Sequence, residues 1–102
     1  MTAEFAVALP AIALVLAACL ASVQLAAQQV RLTDAAADAA RALGRGESAA
    51  AAGAIADRVS GGSDLSTAVE GEFVCVTLSA SGGGLLAVIE LRAESCAVTG
   101  GR

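Results

Sequence analysis

The chain has 102 residues, ten acids against six basic residues and a net charge of −4, and every basic residue is an arginine. With 57% hydrophobic but only 2% aromatic residues and no histidine, it has neither a basic patch for nucleic acid nor a histidine-based catalytic or metal set. Alanine supplies much of the apolar content and buries little area per residue, so the small domain such a chain can form gains from an anchor, a disulfide or a neighbouring subunit.

Glu4 follows Met1-Thr2-Ala3 and leads into an uncharged apolar run of 23 residues, Phe5 to Ala27. As a helix that run measures roughly 34 Å, enough to cross a bilayer core of about 30 Å. It exceeds the h-region of a cleavable secretory signal, and no basic residue precedes it. Pro10 interrupts the run, which a membrane helix tolerates when neighbouring groups compensate. Ala13, Ala17 and Ala21 recur every four residues, as do Ala18, Ser22 and Ala26. Such rows let helices approach closely, although an alanine-rich helix also produces them by chance.

Residues 2–43 read as one helix in two halves. Polarity rises at Gln24, Gln28 and Gln29, and Val30, Leu32, Ala36, Ala39, Ala40 and Leu43 then form an apolar stripe opposite Arg31, Asp34, Asp38 and Arg41. The spacing allows the ion pairs Arg31–Asp34 and Asp38–Arg41. Gly44 and Gly46 end the helix, and Ser48 caps a second over residues 49–59. After Gly61-Gly62-Ser63-Asp64, strands are expected over 65–69, 72–80 and 89–99. A turn at Glu70-Gly71 joins the first two, and a glycine-rich loop with the apolar patch Leu85-Leu86-Ala87-Val88 precedes the third.

A turn at Glu70-Gly71 pairs Val69 with Glu72, Thr67 with Val74 and Leu65 with Val76. A register that sets Cys75 against Cys96 pairs Leu78 with Ala93 and Ala80 with Leu91. Both pairings put Leu65, Val69, Val74, Val76, Leu78, Ala93 and Ala97 on one face, to be covered by a helix, and the cysteines on the other. The expected fold is α+β: a long transmembrane and amphipathic helix, a short second helix and a small antiparallel three-stranded sheet. The organisation is a membrane-spanning segment 1–27, its amphipathic extension 28–46 and a small exported domain 47–102.

Cys75 and Cys96 pair as a disulfide if that domain is exported, and are otherwise two small buried apolar residues. Cys19 has two readings as well. Leu16-Ala17-Ala18-Cys19 matches a lipobox, which would make Cys19 the lipidated N-terminus of a surface lipoprotein. The acidic start and the apolar continuation to Ala27 favour a plain cysteine within the span.

The segment Thr2-Ala3-Glu4-Phe5-Ala6-Val7-Ala8-Leu9-Pro10, followed by Val30-Arg31-Leu32-Thr33-Asp34-Ala35-Ala36-Ala37-Asp38-Ala39-Ala40-Arg41, resembles the TadE-like branch of type IV pilin proteins. Its size and bias toward alanine and arginine are most similar to the short minor pilins and pseudopilins of actinobacterial tight-adherence (Flp-type) systems. The resemblance implies a pilin-like fold and a structural subunit of a pilus or secretion filament, not an enzyme, with no cofactor and no metal. It implies a single-pass protein of the inner, cytoplasmic membrane with its C-terminal domain outside, at the cell surface once assembled. The implied partners are membrane lipid, other pilin subunits and the pilus assembly machinery, with no nucleic acid. Glu4, Phe5 and Pro10 become subunit-assembly residues, Glu4 pairing with the N-terminal amine of an adjacent copy. A prepilin peptidase cuts after a glycine that follows a basic leader. The glutamate stands fourth from Met1 rather than fifth, and no basic leader or glycine precedes it; both departures would be repaired if the true start lay upstream and cleavage fell one residue before Met1, the peptidase being a partner in that case. The alternative is a surface lipoprotein or a signal-anchored small binding domain, and the arginines that follow the span, with none before it, oppose export of the C-terminus.

Overall fold

The computed structural model describes residues 2–100, so Met1, Gly101 and Arg102, which close the predicted segments 1–27 and 47–102, lie outside the described residues. The order of elements is α1 (Thr2–Gly44), α2 (Ala49–Ser60), β1 (Asp64–Glu70), β2 (Phe73–Ser81), a 3-10 turn (Gly84–Val88) and β3 (Glu90–Val98). The fold is α+β, with the three strands in the antiparallel order β1-β2-β3.

α1 is a single helix of 43 residues, and Pro10 lies inside it rather than dividing it. One proline removes one backbone donor, and the bonds on either side carry the helix through. At 1.5 Å per residue α1 is about 64 Å long, close to the 70 Å long axis of a molecule only 19 Å across. Its end is a Schellman motif: the Glu47 N–H donates to Ala42 O at 3.1 Å and the Gly46 N–H to Leu43 O at 3.0 Å. Ser48 then caps α2, its Oγ accepting from the Ala51 N–H at 3.1 Å. α2 runs back along α1 and stops at Gly61, which takes the left-handed conformation with φ +83°.

The second half of α1 is the centre of the folded body. α2 packs on it, and the sheet packs on it through β3 and β2. The core comprises Leu32, Ala35, Ala36, Ala39, Ala40 and Ala42 of α1, Ala52 and Ala56 of α2, Val76 and Leu78 of β2 and Ala93 of β3. Contact with two layers explains why the buried arc is wider than the predicted stripe and takes in Ala35 and Ala42. Val30, expected in that stripe, is 60% exposed. Two residues before Leu32, it lies about 160° away round the helix, on the outer side. Of the two predicted ion pairs, Asp38–Arg41 forms at 3.3 Å and Arg31–Asp34 is not among the ion pairs of the described residues.

Most of the core is alanine, and this allows close approach of the elements. Gly44 is one such close approach, where a Cβ would stand 2.8 Å from the Val98 carbonyl oxygen. The Gly100 N–H donates to Gly44 O at 3.0 Å, closing the C-terminal end of the sheet onto α1.

The β2–β3 register is the expected one, with Cys75 opposite Cys96, Leu78 opposite Ala93 and Ala80 opposite Leu91. The β1–β2 register differs. Val69 pairs with Val74, Thr67 with Val76 and Leu65 with Leu78, because the turn is Gly71-Glu72 and not Glu70-Gly71. A two-residue hairpin turn needs positive φ at its first central residue. Gly71 supplies it at φ +60°, and among the described residues only glycines have positive φ. The displacement is two residues, so each side chain keeps its predicted face. β1 nevertheless lies beyond the cover of α1: Leu65 is half-buried, whereas Val69 is 71% exposed.

Candidate functional site

The residues expected to act in assembly lie on the half of α1 that projects from the folded body. Every residue from Thr2 to Leu20 is exposed, and the membrane-length apolar window of α1 has no buried residue. Glu4 sits in the first helical turn, where the helix dipole favours a carboxylate. Its side chain has no hydrogen-bond or ion-pair partner among the described residues. Phe5 and Pro10 are exposed on the same projecting half. Ser22 turns its hydroxyl back to donate to Ala18 O at 2.9 Å, which satisfies the hydroxyl within the helix as an apolar medium requires. Cys19 is a free, exposed thiol in the middle of this half.

Ala13 and Ala17 are exposed and Ala21 is half-buried. Ala17 and Ala21 line an open groove with Leu14, Gln24 and Arg31, whose far walls are Gly61 at the end of α2 and Leu86 of the 3-10 turn. Ala13 does not reach it.

The head is fastened to α1 where the apolar run ends. The Gln28 Nε2 donates to Ser81 O at 2.9 Å, and the Gln29 Nε2 donates to Arg92 O at 2.8 Å. Two neighbouring glutamines thus reach the backbones of β2 and β3. The only sequence signal for this was the rise in polarity at those positions, which marks a boundary but names no partner.

Cys75 and Cys96 form a disulfide, with Cα atoms 4.0 Å apart. It lies on the sheet face turned away from α1, where Cys75 is buried and Cys96 exposed. Glu94 approaches the two sulfurs closely enough to suggest a metal cluster, but the sulfurs are bonded to each other and offer no thiolates.

These features define a small disulfide-bonded α+β protein carrying an N-terminal helix long and apolar enough to cross a membrane. Comparison with protein-family models, with curated proteins and with solved structures finds no match to this chain.

Proposed function

We propose that the chain is a minor pilin or pseudopilin of the TadE-like kind, a structural subunit of a tight-adherence pilus or related secretion filament. It is held in the inner membrane by α1 before assembly, with the C-terminal domain outside, and reaches the cell surface on assembly. The observation that carries this reading is the projecting half of α1: helical, charge-free from Phe5 to Ala27, exposed at every residue from Thr2 to Leu20 and tipped by the lone carboxylate of Glu4. An apolar surface of that extent needs lipid or other helices around it. A carboxylate carried into such surroundings needs a cation, because an unpaired buried charge is costly. The N-terminal amine of an adjacent, staggered copy meets that need, and the Ala13-Ala17-Ala21 row permits close helix contact.

The lipoprotein alternative draws less support. Lipidation at Cys19 would leave an N-terminus followed directly by helix, since α1 continues unbroken to Gly44 and supplies no flexible tether.

The test is incorporation. Glu4→Gln and Glu4→Ala should leave membrane insertion intact, because the apolar run is untouched, and should reduce recovery in sheared filaments several-fold. Equal recovery of both variants with the parent protein would remove the assembly role of Glu4.

A further inference from the structure

The loop between β2 and β3, residues 82–89, carries no charge and exposes apolar side chains to solvent. Val88 is 91% exposed, the highest value among the large hydrophobic residues of the head whose burial is described, and Ala87 and Ile89 are exposed beside it. The loop is nonetheless built and not loose. The Gly82 N–H donates to Ile89 O at 2.9 Å, Leu86 N–H to Gly83 O at 3.0 Å and Ile89 N–H to Leu86 O at 2.9 Å. A side chain at Gly82 would collide with the Leu86 carbonyl, so the backbone folds tightly on itself there. An ordered turn that leaves Val88 in solvent gains nothing for the core from that side chain.

Its position supplies the reason. β2 runs toward the N-terminal half of α1 and ends at Ser81, which Gln28 holds. The loop continues past that point, and Gly83, Gly84 and Leu86 face Ala21, Gln24 and Ala27 across the groove. These α1 residues are the last turns of the apolar run. From Gln28 back to Gln24 is about 6 Å of helix rise, within the 5–10 Å that interfacial segments enter a bilayer. Where α1 emerges from a membrane, the exposed Ala87, Val88 and Ile89 therefore stand at the depth of the headgroup and upper acyl region. Leu86, directly before them, lines the groove with the end of the span and ties their position to it.

We infer that loop 82–89 is a second membrane anchor, inserting Val88 and its neighbours into the leaflet from which the folded body emerges. This inference rests on the reading that α1 crosses the bilayer, but not on filament assembly. It makes the head a two-point attachment, so that departure from the membrane requires withdrawal of the loop as well as of α1.

The experiment uses the full chain in vesicles of phosphatidylcholine and phosphatidylglycerol, at a dilution that leaves most vesicles with a single copy. Cys19→Ser removes the free thiol, and one nitroxide is placed by Val88→Cys, by Leu14→Cys within the span or by Ala50→Cys at the far end of α2, all at exposed positions. Accessibility to oxygen and to a water-soluble nickel chelate gives the depth of each label. The expected result is Leu14 deep in lipid, Ala50 in water, and Val88 at interfacial depth with chelate accessibility several-fold below that of Ala50. A Val88 label as accessible to chelate as Ala50, with Leu14 still in lipid, overturns the loop anchor alone. A Leu14 label in water overturns the span and the loop anchor with it.

Discussion

Removing the Cys75–Cys96 bridge should cost this fold about 3 kcal/mol. The two cysteines are 21 residues apart in sequence. A cross-link of that span restricts the unfolded chain by an entropy worth about 3 kcal/mol at 25 °C. The folded side of the balance is nearly unaffected, since the sulfurs lie on the sheet face opposite α1 and the main core does not include them. What remains must come from a core whose largest fully buried side chains are Leu32, Leu78 and Val76, with alanine filling most of the rest. Small domains have only about 5–15 kcal/mol to lose. Global helicity would report poorly on this change in detergent, because the apolar half of α1 stays helical in a micelle. Native-state amide exchange at Val76 and Leu78 of β2 reports on the head directly. Every 1.4 kcal/mol is a factor of about ten, so Cys75→Ala/Cys96→Ala, or reduction of the parent protein, should lower protection there by about a hundredfold. Protection unchanged by both treatments would show that the bridge does not restrain the unfolded chain, and the entropic reasoning would fail.

Two further perturbations probe the joints of the head with α1. Gly44→Ala places a methyl 2.8 Å from the Val98 carbonyl oxygen and 3.3 Å from the Ala97 Cβ. Overpacking at about 1–3 kcal/mol should outweigh the helix-propensity gain of about 1 kcal/mol. Exchange along β3 should therefore accelerate, and a stabilised variant would contradict the close approach. Gln28→Ala and Gln29→Ala each delete one side-chain bond to strand backbone, worth about 0.5–1.5 kcal/mol. Exchange at the Gly82 amide should rise in the double variant while the β1–β2 pairs hold, and an unaltered Gly82 rate would mean that these bonds do not secure the loop.

The parts of the fold legible in the sequence are those governed by local chemistry. Apolar length announced α1, Ser48 its successor, and glycine the breaks between elements. The β2–β3 register followed from requiring Cys75 opposite Cys96, and the shared apolar face agreed with it. Elsewhere the deciding information was not local. Gly71 had to occupy the first central position of its turn, which moved β1 by two residues without changing any face. Val30 looked apolar enough for the stripe, but helical geometry puts it opposite Leu32. Gln28, Gln29 and Gly44 owe their roles to partners more than fifty residues away in the chain, and nothing in their own surroundings names those partners. Glu4 was visible at once, because an isolated carboxylate before an uncharged run is conspicuous in a chain of this composition.

The unbroken course of α1 has a mechanical consequence. Because no joint separates the projecting half from the half that carries the head, the azimuth of the head about the long axis is tied to that of Glu4 by residue count alone. Each residue contributes about 100° of rotation. Inserting or deleting one residue between Ala13 and Gln24 would swing the sheet by more than a quarter-turn relative to the helix tip while moving it only about 1.5 Å along the axis. The molecule behaves as a keyed shaft, in which twist applied at one end is delivered to the other.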